Sequence, residues 1–243
     1  MMKRMDENKL EPKVVLGIAA HPDDLDFSSS GTMAYFASLG AEVHYLILTD
    51  GGNGTDDSEV KSSELTKIRY QEQRDALDTF GGKSVTFLSY PDGKLANNDD
   101  LKKDIIKVIR TIKPDTVLTM DPSVLYSATR GMINHPDHRA AGQATLDSVY
   151  PFARDHLAYP ELYEQGFLPH KTKNILLVNF ENQNFFVDIS KTIDLKLKAS
   201  VCHKSQIKSI EQISEFIQNN AKAIGAKSGY QFAEGFIRIT INI

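Results

Sequence analysis

The run Val14-Val15-Leu16-Gly17-Ile18-Ala19-Ala20 is apolar at every position, the pattern of a strand covered on both faces of a parallel sheet. Behind it, the serines at 28–30 can cap a helix in which Met33, Phe36, Ala37 and Leu39 form one apolar stripe before Gly40. A second strand fits 43–49, and the segment 50–57 consists almost wholly of turn formers. The alternation then repeats. A polar helix over 63–80 stops at Gly81-Gly82, a third strand fits 85–89, and Pro91-Asp92-Gly93 makes a turn. Asn98 or Asp99 caps a helix carrying Leu101, Ile105, Val108, Ile109 and Ile112, Pro114 closes it, and 116–120 supplies a fourth strand.

Four such repeats predict an α/β, Rossmann-like fold: a mostly parallel sheet with helices on both faces. Residues 121–134 read as loop, a helix begins near Pro136 and runs towards Val149, and 150–172 is a long excursion of aromatic and proline residues, a length often functional. Strands at 175–180 and 185–189, helices near 193–203 and 210–224, and an alternating strand at 236–241 form a C-terminal strand and helix extension. With no linker or repeat in view, the expected organisation is a charged lead at 1–12 followed by one α/β domain at 13–243.

Composition narrows the function classes. The 243 residues, 41% hydrophobic and 25% charged, are enough to bury one sizeable core. A net charge of -4 gives no electrostatic footprint for nucleic acid or an anionic membrane. A single cysteine, Cys202, rules out an intramolecular disulfide and a multi-cysteine zinc framework, so a metal would be held by nitrogen and oxygen. The basic residues near the N-terminus precede no apolar run, and no stretch approaches the roughly 18 apolar residues of a membrane span. The expectation is a soluble, cytoplasmic protein with a small-molecule partner; a homo-oligomer stays open.

Two motifs carry candidate chemistry: His21-Pro22-Asp23-Asp24 directly after the first buried strand, and His135-Pro136-Asp137-His138 at the entrance of a later helix. Open α/β sheets bind ligands beyond the carboxyl ends of their strands, and a loop after the fourth strand can bring the second motif beside the first. A catalytic zinc has three protein ligands and one open position, which His21, Asp24 and His138 would satisfy. Taken singly, the aspartates could cap a helix and the histidines lie at a helix surface. Their joint occurrence at one sheet edge favours a metal site.

Together these residues resemble the PIG-L or LmbE-like zinc-dependent N-deacetylases, which remove acetyl from N-acetylglucosamine-type amides. The resemblance extends over Gly31-Thr32, Leu48-Thr49-Asp50-Gly51, Arg69-Tyr70-Gln71-Glu72, Val187-Asp188-Ile189, Lys196, Ala199 and His203-Lys204-Ser205-Gln206. It implies Zn2+ on His21, Asp24 and His138, with another divalent metal compatible with the same donors. It further implies Asp23 as general base, His135 as the group stabilising the oxyanion, and Asp137 as the partner of His135, which would be cationic if so paired. Arg69 resembles the family's substrate-contacting arginine; its spacing from Glu72 also fits a surface i, i+3 ion pair.

The sequence departs from the family pattern at Leu25, where Glu is usual, with Asp26 next to it, and at Gly52, where an acidic residue is common. The implied activity is zinc-dependent hydrolysis of an N-acetylated amino-sugar-type amide. The alternatives are a zinc amidohydrolase acting on a non-sugar amide and a non-catalytic α/β binding module.

Overall fold

The computed structural model describes residues 9–242; residues 1–8, most of the expected charged lead, lie outside the described residues. Strand β1 (Val14–Ala19), helix α1 (Asp24–Ser38), β2 (Glu42–Thr49), α2 (Ser62–Asp78), β3 (Ser84–Tyr90), α3 (Asp99–Ile112) and β4 (Thr116–Met120) follow the predicted alternation. A small hairpin, β5 (Tyr126–Ser127) and β6 (Met132–Ile133), precedes α4 (Pro136–Val149) and the short α5 (Pro160–Glu164). The chain closes with β7 (Asn174–Val178), β8 (Phe185–Asp188), α6 (Ile193–Ser200), α7 (Ile210–Ser228) and β9 (Ala233–Thr240).

Seven strands form one sheet in the order β3-β2-β1-β4-β7-β9-β8. Parallel pairing runs from β3 through β7, while β9 is antiparallel to both β7 and β8. The C-terminal extension is therefore part of the main sheet. Apolar residues cover both of its faces, Val15, Tyr45 and Ile47 packing with Met33 and Phe36 of α1, and Leu16, Ile18 and Leu46 with Ile105 and Ile109 of α3. Asn98 caps α3 as expected, its side chain accepting from Leu101 N at 2.9 Å.

Helix α1 starts earlier than the three serines suggest. Asp23 adopts φ 103°, a left-handed conformation unusual for a non-glycine, and its carbonyl accepts from Asp26 N and Phe27 N. Ser28, Ser29 and Ser30 lie inside the helix, each hydroxyl donating to the carbonyl four residues back. Leu25 is fully buried, and a Cβ on Gly17 of β1 would come within 2.9 Å of its Cδ1, so helix and strand pack closely here.

The 150–172 excursion does not border the site. It wraps the buried guanidinium of Arg110, near the C-terminal end of α3, which donates to the carbonyls of Phe152, Ala153, Asp155, Ala158 and Phe167. That end of α3 lies at the amino edge of the sheet, opposite the motifs. Among the described residues no helix is long and apolar enough to cross a membrane.

Candidate active site

Both motifs meet at the carboxyl edge of the sheet, as the strand ends require. His21 follows β1, Asp24 is the first residue of α1, and His135 precedes α4 with Pro136 at the first helical position. His138 Nε2 lies 3.0 Å from Asp24 Oδ1, His21 Nδ1 lies 3.4 Å from Asp24 Oδ2, and the two ring nitrogens are 3.3 Å apart. Those separations match the edge of a tetrahedron whose corners are about 2.0–2.1 Å from a common centre, the reach of zinc to nitrogen and oxygen. By spacing and chemistry the three donors fit a divalent metal.

The second ring nitrogen of His21 turns the other way. His21 Nε2 is 3.1 Å from Asp92 Oδ1 and 3.4 Å from Asp137 Oδ2. Asp137 is itself fixed, accepting from Gly93 N at 2.7 Å and Leu95 N at 3.2 Å, and Asp92 accepts from Asn53 N at 3.1 Å. With a metal on Nδ1, carboxylates this close to Nε2 would favour the remaining ring proton there. Burial alone would lower the His21 imidazole, but Asp24, Asp137 and Asp92 outweigh it and push the ring up to about 12. Asp24, Asp92 and Asp137 thus draw positive charge onto the His21 ring, charge that a metal ion at its Nδ1 would supply instead. His21 also belongs to two other donor groups whose ligand atoms lie within 4.8 Å of one another, one with His135 and His138, the other with Asp92 and Asp137.

Asp23 lies beside this cluster. Burial, opposed by Arg69 and aided by Asp24, pushes its carboxyl up to about 6, within the range where a carboxylate exchanges protons near neutrality. Its backbone N–H donates to Gln73 Oε1 at 3.1 Å, and its Oδ2 accepts from Arg69 at 3.2 Å.

The implied partner of His135 differs from the one observed. The Asp137 carboxylate faces His21, and His135 Nδ1 instead accepts from the Asp137 backbone N–H at 3.2 Å. Burial, with His21 and His138 close by, lowers His135 below the ordinary imidazole value, so the ring is neutral near pH 7 with its proton on Nε2. Neutral His135 remains a hydrogen-bond donor.

Arg69 is not in a surface pair with Glu72. Its side chain is 4% exposed, with NH1 donating to Gly51 O at 2.8 Å and NH2 to Pro22 O at 2.7 Å. Glu72 turns away to accept from the Ser205 backbone and hydroxyl, both at 2.7 Å. Arg69 therefore braces the loops that hold Asp23. Gly52 occupies a crowded position, where a Cβ would overlap the Ser62 hydroxyl.

Sequence reasoning missed Asp92, which it placed only in a turn, although a Pro-Asp-Gly step beyond a strand's carboxyl end was the available signal. It also missed Gln73, which bridges Asp23 to the buried carboxylate of Asp26, donating to Asp26 Oδ2 at 2.7 Å.

Comparison with known proteins bears on this arrangement. The family model for PIG-L, GlcNAc-PI de-N-acetylase, matches residues 16–149. The chain is 32% identical to the diacetylchitobiose deacetylase of Thermococcus kodakarensis, over 97% of this chain and 88% of that protein. It is 26% identical to the 1D-myo-inositol 2-acetamido-2-deoxy-alpha-D-glucopyranoside deacetylase of Rhodococcus erythropolis, over 86% of each. The solved N,N'-diacetylchitobiose deacetylase of Pyrococcus horikoshii, in complex with an inhibitor, superposes with a TM-score of 0.87 at 32% identity, covering 94% of this chain and 84% of that one.

Fold and relatives together define an α/β enzyme that hydrolyses amides, an N-deacetylase, which removes the non-catalytic binding module from consideration. More particularly, the chain belongs to the PIG-L family.

Proposed function

We propose that residues 13–243 act as one metal-dependent N-deacetylase unit that removes acetyl from an N-acetylated amino sugar. The observation that carries this reading is the convergence of His21 Nδ1, Asp24 and His138 Nε2 at 3.0–3.4 Å, with Asp23 beside them. His21, Asp24 and His138 would hold zinc, or another divalent ion of similar preference. When bound, such a metal polarises an amide carbonyl and lowers the pKa of water to about 7.

Asp23 takes the proton of the attacking water and returns it to the departing amine. His135 donates from Nε2 to the carbonyl oxygen as negative charge develops there, an interaction worth about 3 kcal/mol when one donor is removed. With a metal on Nδ1, Asp137 and Asp92 would favour the His21 proton on Nε2. Arg69 serves the substrate pocket mainly by holding Asp23 and the Gly51 turn, with Asp92 3.9 Å from its guanidinium. The relatives' names, a diacetylchitobiose deacetylase and an acetamido-glucopyranoside deacetylase of myo-inositol, support an amino-sugar substrate.

The test is an amine-release assay over N-acetylglucosamine, N,N'-diacetylchitobiose, glucosaminyl-inositol amides and simple non-sugar acetamides, with metal content measured on the same sample. Release from the sugars with about one metal per chain is expected. Release from non-sugar amides alone favours the second amidohydrolase reading, and none at all from metal-loaded protein overturns both. A metal held instead by His21, Asp92 and Asp137 would survive His138→Ala, whereas the proposed set would lose it.

A further inference from the structure

A cleft of about 300 Å3 opens beside the metal donors, with Asp24 and His138 forming its inner wall. Its other walls are Phe27 of α1, Met120 at the end of β4, Met132 of the small hairpin, Val178 and Phe180 at the end of β7, and Phe216 of α7. None of Asp23, Arg69, Asp92 or His135 lines it. The proposed base, the oxyanion donor and the Arg69 brace thus lie outside a chamber whose exposed surface is mostly apolar.

The polar side chains that line the chamber beside the metal donors each have a protein partner. Asp121 accepts from Asn179 Nδ2 at 2.6 Å and from the Ser123 backbone and hydroxyl at 2.8 and 2.6 Å. Asn134 donates its amide to Val124 O at 2.8 Å, and Ser28 donates its hydroxyl to Asp24 O at 2.6 Å. Arg130 lies over the Phe180 ring at 5.0 Å and donates to the Phe180 carbonyl. A sugar ring, with a hydroxyl on most carbons, would meet mostly apolar wall here, and burying unpaired hydroxyls is costly. An alkyl or aryl group needs none. The Phe216 ring, 63% exposed at the mouth, is apolar surface that such a group would cover.

We propose that this cleft receives an apolar substituent carried by the amino-sugar substrate next to its scissile amide, so that alkyl- or aryl-bearing substrates are preferred over those bearing only acetyl and hydroxyl groups. The proposal rests on the deacetylase reading and deepens it. The apolar group can enter from the acyl side of the amide or from the anomeric carbon; both present the same chemistry to Phe27, Met132 and Phe216.

Two substrate series separate the sources: N-acyl glucosamines from acetyl to hexanoyl, and alkyl β-glycosides of N-acetylglucosamine from methyl to hexyl. In one series kcat/KM should rise about three- to fourfold per methylene over the first few carbons, the value of burying each from water. Val124→Phe, a half-buried position on the wall, should abolish the rise by filling the cleft. Phe216→Ala, at an exposed position that folding does not depend on, should reduce it about fivefold at the longest chain. Flat or falling kcat/KM in both series, or an undiminished rise in both variants, overturns the proposal while leaving deacetylation of the unsubstituted sugar intact. If no amide in either series is hydrolysed, the deacetylase reading fails. The cleft is then judged by calorimetric binding of hexyl against methyl β-glucosaminide to the metal-loaded protein, where equal affinities overturn it.

Discussion

His203 Nε2 lies 2.8 Å from Asp26 Oδ2, joining the start of α1 to a loop 177 residues further along the chain. Both side chains are fully buried. Asp26 also accepts from Gln73, which in turn accepts from the backbone of Asp23, so the buried pair sets the position of the proposed base from behind. Leu25, beside Asp26, is an apolar core residue, so the buried carboxylate of this turn is that of Asp26.

Loss of His203 leaves the Asp26 carboxylate buried without its cation, and His203→Gln should cost about 3 kcal/mol. Burial lowers the His203 imidazole, but Asp26, Asp23 and Glu72 outweigh it and raise it. A raised folded-state value contributes stability that is complete below the unfolded value of about 6.5 and is lost as pH rises through the folded one. The gap in thermal midpoint between wild type and His203→Gln should therefore be widest in acid and narrow in alkali. A gap independent of pH would deny the ion pair.

Asp23→Asn should keep the metal and lose about 10²- to 10⁴-fold in kcat, because an amide cannot accept the proton. Metal analysis and turnover on one preparation decide this. Loss of metal along with activity would mean that Asp23, and not Asp24, is the ligand.

Arg69→Lys keeps the charge but not the fork that reaches Pro22, Gly51 and Asp23 together. Steady-state kinetics should show kcat falling at least tenfold with a smaller change in KM. A rise in KM alone would instead make Arg69 a direct substrate contact.

Gly142 of α4 lies against β4, where a Cβ would overlap the Met120 carbonyl oxygen. Gly142→Ala, favourable to an isolated helix, should here cost about 1–3 kcal/mol and weaken metal binding by displacing His138. Unchanged stability and metal affinity would show that α4 shifts without disturbing the site.

The sheet's first half was legible because β1 reads as an unbroken apolar run and β2 and β4, buried along almost their whole length, are rich in Val, Ile and Leu. The His-Pro-Asp motifs were legible because they follow a buried strand and open a helix, positions that topology brings to one edge. The start of α1 was not, since a left-handed aspartate at 23 leaves no mark in residue type, and the three serines imitate a cap. Arg69 and Glu72 have the spacing of a pair, yet burial turns each to a different partner. The place of β9 was hidden for a related reason: an alternating strand declares one face, not its neighbours. Asp92 needed β3 in position before its turn could be seen to face His21.

The side chain of Glu234, on β9, accepts from the backbone N–H of Gly31 at 3.2 Å and Thr32 at 2.7 Å in the middle of α1, while its Lys196 partner, 2.6 Å away, donates to the Phe27 carbonyl at 2.9 Å. The helix that begins with the proposed ligand Asp24 is thus clasped by residues that follow it by 169 to 203 positions. As the chain leaves the ribosome, both His-Pro-Asp motifs emerge while that clasp is still unsynthesised, so the centre they form gains this support only when β9 threads between β7 and β8. The order of translation makes β9 the lock on α1.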